Sequence, residues 1–196
     1  SYAGRLDPMA SGKLLVLIGE ECKHQGKYHG LDKRYEFSVL LGVSSDTGDV
    51  LGRLQIASTV PKLTAADLRS AACTLTGNIT LPYPHFSAKT VRGKPLHVWA
   101  LEGRLDEIEI PKQSSTVYTL TIENYRTLTR AEIYKEVSIK IESIPPVTDA
   151  SKALGNDFRR VDVRSDWKQF IEMGTNTDTF TIATFACVAS SGTYMR

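Results

Sequence analysis

The chain has 196 residues, 41% hydrophobic and 23% charged, with a formal net charge of +2 and an isoelectric point near 8.4. This is ordinary globular composition, long enough for one sizeable core or one core carrying an insertion, and its charge balance neither demands nor excludes a nucleic-acid partner. The longest uninterrupted aliphatic run, Leu14 to Ile18, falls far short of the roughly 20 apolar residues that cross a bilayer. No charged-then-apolar leader precedes it, so a soluble cytoplasmic protein with no membrane association is expected. Cys22, Cys73 and Cys187 stand far apart without C-x-x-C spacing, which argues against a disulfide framework or a zinc site and for small buried hydrophobes.

In chain order, the apolar run from Lys13 to Gly19 predicts a short buried strand, and the polar stretch from Glu20 to Leu31 is helical in part. Tyr35, Phe37 and Val39 alternate within Lys33 to Gly42, the period of a strand with one buried face. A turn-rich loop, Ser44 to Gly52, leads to a further strand at Arg53 to Thr59. Thr64 with Asp67 three residues on has the form of a capping box. The stripe Leu68, Ala71, Ala72, Leu75, ended by Gly77, completes a helix. Pro82 and Pro84 hold the approach to Phe86, Ser87 and Ala88 extended, because each proline bars the helical region to the residue before it. A short helix is expected over Pro95 to Glu102.

The second half reads as strands, with alternation at Tyr118, Leu120 and Ile122, at Val137, Ile139 and Ile141, and at Phe180 and Ile182. Between the last two lies Pro145 to Asp178, with a helix near Asp166 to Met173. The stretch from about Glu123 to Asp178 is read as an insertion in a single domain. The fold class is α+β, with an antiparallel or mixed central sheet flanked by helices and loops.

Basic residues gather at Lys23, Lys27, Lys33 and Arg34, at Lys89, Arg92 and Lys94, and at Arg159, Arg160 and Arg164. On a common face they would neutralise several phosphates and make binding salt-sensitive, although solvated surface accounts for each cluster equally well. The most informative stretch is Gly4-Arg5-Leu6-Asp7-Pro8-Met9-Ala10-Ser11-Gly12, which holds one acid between glycines. Gly4 and Gly12 let the backbone approach a ligand, and Pro8 stiffens the loop directly after the carboxylate. On spacing alone, an aspartate before proline is a turn residue.

This segment resembles the G-x-L-D-P-x-A-x-G signature of the TruB pseudouridine synthases, and four further segments follow in that family's order. Lys33-Arg34-Tyr35 is similar to its K-x-Y motif. Ser44 to Gly52 resembles its T-D-T-x-D-x-x-G loop, with Asp46, Thr47, Asp49 and Gly52 in register. Pro84 to Pro95 is similar to its P-x-Y-S-A-x-K-x-x-G-K segment, and Ser191 to Arg196 to its K-G-T-Y-I-R. Each match is weak alone; together they span the chain from its first residues to its last.

The resemblance implies a pseudouridine synthase fold and the isomerisation of a T-loop uridine of transfer RNA, without metal or organic cofactor. It makes Asp7 the nucleophile, attacking either base or ribose, with Arg196 as the cation that keeps the carboxylate ionised and oriented. Tyr35 would stack on the everted base and assist proton removal, Tyr194 would pack beneath the nucleotide, and Lys33 would support the strand that carries Tyr35. Lys89, Arg92 and Lys94, with Lys23 and Lys27, are candidates for RNA-backbone contacts. The partner implied is the T-arm of transfer RNA, which would be bound by a monomer.

Tyr2 stands where the family has a histidine contacting or displacing the target nucleotide, and a tyrosine can stack but cannot supply imidazole chemistry. In the S-A-x-K segment the lysine sits one place early, as Lys89 before Thr90. Because the chain begins inside the catalytic motif and ends at Arg196, it reads as an internal fragment of a longer enzyme and is expected to lack activity alone. The alternatives are a catalytically silent protein that binds or folds RNA, a related synthase acting on another RNA, and, as an outsider, a hydrolase with paired carboxylates.

Overall fold

In the computed structural model, which describes residues 1–4, 6–57, 60, 62–145, 159–175 and 178–195, the chain opens with two short antiparallel strands, β1 (Tyr2–Ala3) and β2 (Leu15–Val16). Leu17 is buried, but Leu15, Val16 and Ile18 are exposed. The run from Lys13 to Gly19 is therefore not the buried strand its apolarity predicts, because its ladder is two residues of β1 rather than a place in the central sheet. A 3-10 helix, Gly19–Tyr28, follows.

The remaining elements among the described residues are β3 (Lys33–Leu40), β4 (Val43–Ser45), β5 (Leu54–Ile56), α1 (Ala65–Thr74), β6 (Gly77–Pro82), β7 (Thr90–Val91), β8 (Lys94–Pro95), α2 (Leu96–Leu101), a short 3-10 helix (Leu105–Glu107), β9 (Lys112–Thr129), α3 (Arg130–Glu142), α4 (Arg160–Glu172) and β10 (Thr179–Ala189). Ser58 and Thr59, the end of the strand expected after Arg53, lie outside the described residues. The expected capping box is present: Thr64 Oγ1 accepts from the Asp67 amide while the Asp67 carboxylate accepts from the Thr64 amide.

Four strands form the central sheet in the order β3-β10-β9-β6, and every pairing in it is antiparallel. Successive residues of β10 face opposite sides, so Ile182 and Ala183 mark two separate cores. On one side Ala183 and Phe185 pack with Leu68 and Ala72 of α1 and with Phe37, whose ring stacks on Phe185 at 5.6 Å between centroids. On the other side Phe180 and Ile182 pack with Ile133, Val137 and Ile141 of α3 and with Val163, Trp167 and Phe170 of α4. The fold is α+β, with helices on both faces of one antiparallel sheet.

The segment containing Val137, Ile139 and Ile141 is a helix, not the strand that its alternation suggests. Thr129 and Glu132 form a second capping box at its start. Ile133, Val137 and Ile141, spaced four apart, are the buried stripe, while Ile139 is exposed. Three apolar residues at period two satisfy a helix as well as a strand when the middle one is left in water, and the cap breaks the tie. The helix expected near Asp166 to Met173 is also longer at its start, running from Arg160 to Glu172.

Candidate active site

The Asp7 loop is held by local geometry. Gly4 has φ +85°, a left-handed conformation that disfavours a side chain, and the Ala10 amide donates to the Asp7 carbonyl at 2.9 Å, closing a turn over Pro8. Gly12 does not share this constraint: a Cβ there would meet Leu6 at an ordinary 3.8 Å. Asp7 is exposed.

Tyr35 is half-buried on β3, opposite Cys187 of β10, and packs on the Val117, Cys187 and Ala189 cluster together with Met195. Burial first, then the neighbouring Cys187 and the negative charge of Asp7, hold its phenol above the ordinary tyrosine range. Tyr35 is therefore a neutral hydroxyl that senses the Asp7 carboxylate, and two residues far apart in sequence share one electrostatic environment. Beside them, Lys33 Nζ lies 3.4 Å from Ser191 Oγ, tying the start of β3 to the segment after β10.

That segment turns at Gly192, with φ +85°, and a Cβ there would lie 1.8 Å from Gln113 Nε2. Thr193 Oγ1 closes the turn by donating to the Ser190 carbonyl at 2.9 Å. The turn delivers Tyr194, 44% exposed, to an edge contact with Tyr83 at 5.8 Å, and Lys89 Nζ stands 4.9 Å from the centroid of the same Tyr83 ring. Arg196 lies outside the described residues.

The loop from Ser44 to Gly52 folds around its own side chains. Asp49 accepts from Thr47 Oγ1 at 2.7 Å and from the Leu51 amide at 3.0 Å, and Asp46 accepts from the Arg53 amide at 2.9 Å. Gly52 is required because a Cβ would stand 2.4 Å from Thr47 Oγ1 and 2.8 Å from the Thr47 backbone nitrogen, which cannot yield unless the loop moves. Gly52→Ala is expected to destabilise the protein by about 1–3 kcal/mol, the usual cost of overpacking. Chemical denaturation checks this, and an unchanged midpoint would mean that the loop gives way freely.

Asp46, Thr47 and Gly48 then form one wall of a cleft of about 260 Å³ whose other walls are Tyr83 and His85, Gln113 and Ser115 of β9, and Thr193 and Tyr194. Its size suits one planar group with hydrogen-bonding edges, below the roughly 300–1,000 Å³ of pockets for drug-sized ligands. Tyr2 does not line it. Tyr2 borders a separate cleft with Gly4, Gln25 and His29, and its carbonyl accepts from Gln25 Nε2 at 2.6 Å.

The basic clusters divide. Lys89 is exposed beside Tyr83, and Arg92 is exposed at the tip of the β7–β8 hairpin with φ 47°. Lys94 is committed internally, 2.7 Å from Glu102 and 4.4 Å from the Trp99 ring centroid, which removes it from the expected RNA contacts. Lys23 is exposed and paired with Glu20. Arg159, Arg160 and Arg164 bond Asp46, the Ile144 carbonyl and Glu142 respectively. Among the described residues no cluster of three or more His, Cys, Asp or Glu is placed to hold a metal ion.

Sequence reasoning did not single out Tyr83, Gln113, His85 or His29. Tyr83 lies between two prolines that signalled only extended backbone, Gln113 stands in an unremarkable polar run, and the two histidines carry no spacing that marks a site. Only the return of β9 beside β6, pairing Leu81 with Gln113, brings the first two together.

The profile described as "TruB family pseudouridylate synthase (N terminal domain)" matches residues 1–143. Proteins named tRNA pseudouridine synthase B are similar over the same scale. That of Caldicellulosiruptor saccharolyticus is 35% identical over 124 residues, 63% of this chain and 42% of the relative. That of Caldanaerobacter subterraneus subsp. tengcongensis is 37% identical over 124 residues, 63% of this chain and 43% of the relative. That of Nitrosospira multiformis is 36% identical over 129 residues, 64% of this chain and 41% of the relative. The match thus spans about two fifths of the length of these curated relatives. With 143 of its 196 residues matched to that profile, the chain belongs to the TruB family of pseudouridylate synthases.

Proposed function

We propose that the full-length protein carrying this chain is a transfer-RNA pseudouridine synthase that isomerises a T-loop uridine, with Asp7 as nucleophile. The observation that carries this reading is the match of residues 1–143 to the TruB profile, with Asp7 and Tyr35 in motifs that the resemblance assigns to one reaction. The reaction breaks the bond from ribose to the base nitrogen, turns the base, forms a bond to carbon and removes the proton from that carbon. Asp7 forms the covalent intermediate, through base or ribose. Tyr35, a neutral phenol, offers a ring face to the detached base and a polar tip for the proton that leaves carbon. Arg196 is the cation we assign to Asp7.

A uridine inside a folded RNA loop is out of reach, so the base is everted at a cost of a few kcal/mol. Stacking on an aromatic side chain is worth about 1–3 kcal/mol per base and offsets much of it. The exposed Tyr194 and its neighbour Tyr83 suit this role, with Lys89 beside Tyr83 and Lys33 holding the Ser191 turn, and Lys89 and Arg92 are the side chains we assign to RNA phosphates. Tyr2, in its separate cleft beside His29, contacts RNA flanking the target. We read the chain as one catalytic domain with the α3–α4 region inserted before β10, acting as a monomer in the cytoplasm. No helix among the described residues is long and apolar enough to cross a membrane.

The test is to incubate the full-length protein with unmodified transfer RNA and ribosomal RNA, and to map products with a pseudouridine-selective chemical label. Modification of a T-loop uridine is expected. Label confined to ribosomal RNA would move the protein to a different substrate, and tight binding with no label on any RNA would make it a binding protein.

A further inference from the structure

One helix reaches the Asp46 loop at four points from more than a hundred residues away. Arg159, directly before α4, bonds the Asp46 carboxylate and lies 5.0 Å over the Phe86 ring. Asp166 takes a bidentate bond from Arg53, Nε at 2.7 Å and Nη2 at 3.0 Å, and a third from the Leu54 amide at 3.0 Å. Burial opposes the Asp166 charge, but the Arg53 guanidinium and the Leu54 amide outweigh it and hold the carboxyl below its ordinary range. Trp167 Nε1 donates to the Val50 carbonyl at 2.9 Å.

These anchors fall at positions 46, 50, 53 and 54, and the cleft-lining residues Asp46, Thr47 and Gly48 lie at or between them. The helix itself is immobilised, with Val163, Trp167 and Phe170 packed in the core at 2% exposure or less. A loop with a fixed internal turn but no rigid neighbour would move as a body. Bonded to a buried helix at both ends, it has one position relative to Tyr194. The family match stops at residue 143, before α4 begins, so this support lies outside the matched span.

We propose that α4 is the positioning element of the cleft, with Arg159 and Asp166 as positioning residues that set where Asp46 stands against the bound RNA. The assignment of RNA to this cleft rests on the function proposed above; the hold of α4 on the loop does not.

The test uses the full-length protein with Arg159→Ala, Arg159→Lys, Asp166→Asn, Asp46→Asn and the Arg159→Ala/Asp46→Asn double variant. Displacement of a positioned group by an ångström can cost on the order of 100-fold in rate. Arg159→Ala is expected to lower the single-turnover rate at saturating transfer RNA by about tenfold or more, with KM little changed, and Arg159→Lys to recover most of it. The double variant should be no slower than Asp46→Asn alone, because Arg159 acts through Asp46. Losses that add would overturn the proposal, since a merely structural arginine gives additive effects. Independently, Asp166→Asn should speed hydrogen exchange at the Arg53 and Leu54 amides by about tenfold while α1 stays protected. Unchanged exchange there would overturn it too. If the wild-type protein forms no pseudouridine, the functional reading falls, and exchange alone decides whether α4 holds the loop.

Discussion

Full-length protein carrying Asp7→Asn will bind its RNA with undiminished affinity and form no measurable pseudouridine. An asparagine keeps the size and leaves the backbone bond from the Ala10 amide to the Asp7 carbonyl intact. What it removes is the anion that attacks carbon. Loss of a nucleophile from a covalent enzyme costs on the order of 10⁴-fold or more in turnover, far beyond what a displaced loop would cost. Affinity should survive, because RNA binding draws on phosphate neutralisation and base stacking, to which a carboxylate contributes nothing favourable. Two measurements check the expectation together: filter binding of transfer RNA, and single-turnover conversion followed with the chemical label. Conversion by the asparagine variant at a rate near wild type would remove Asp7 from the chemistry.

Trp167→Ala is expected to produce the largest loss of stability of any single truncation on α4. Trp167 is among the largest fully buried side chains, sits edge-on to Phe170 at 5.4 Å, and packs where α3, α4 and the Phe180 end of β10 meet. Truncating a buried tryptophan costs about 3–5 kcal/mol, the transfer energy of the lost ring plus the cavity left behind. The Val50 carbonyl also loses its indole donor. Trp167→Phe separates these contributions, since it refills much of the volume yet restores no hydrogen bond. It should cost about 1–2 kcal/mol, the scale of leaving one acceptor without its partner. Denaturant unfolding of the full-length protein measures both. A loss below about 1 kcal/mol for the alanine variant would mean that α4 is not built into the core.

Where the sequence misled, the reason was a short pattern with two structural solutions. The alternation at Val137, Ile139 and Ile141 fits a strand, yet Val137 and Ile141 with Ile133 give a buried stripe at four-residue spacing under a Thr129–Glu132 cap, with Ile139 left exposed. Leu14 to Ile18 is apolar enough for a buried strand, but burial needs a partner surface, and β2 finds only two residues of β1. The basic cluster at Arg159, Arg160 and Arg164 had the composition of a phosphate-binding strip, and in the fold its side chains also bond Asp46, a backbone carbonyl and Glu142. In each case local composition was right and the neighbour was unknown.

By itself, the sequence determined the residue types available for chemistry and the local structure that carries them: the acid before proline in the Gly4–Gly12 loop, the strand alternation at Tyr35 and the Thr64 cap. These depend on contacts within a few residues, which spacing encodes directly. Tertiary structure decided which of these residues meet. The Asp7 charge reaches Tyr35, Tyr83 meets Tyr194, and Asp46 is held by Arg159, 113 positions further along the chain. Such meetings follow from the order of strands in the sheet and from the face on which each helix packs. Both are set by burying the whole apolar surface at once, so no single segment of the sequence records them.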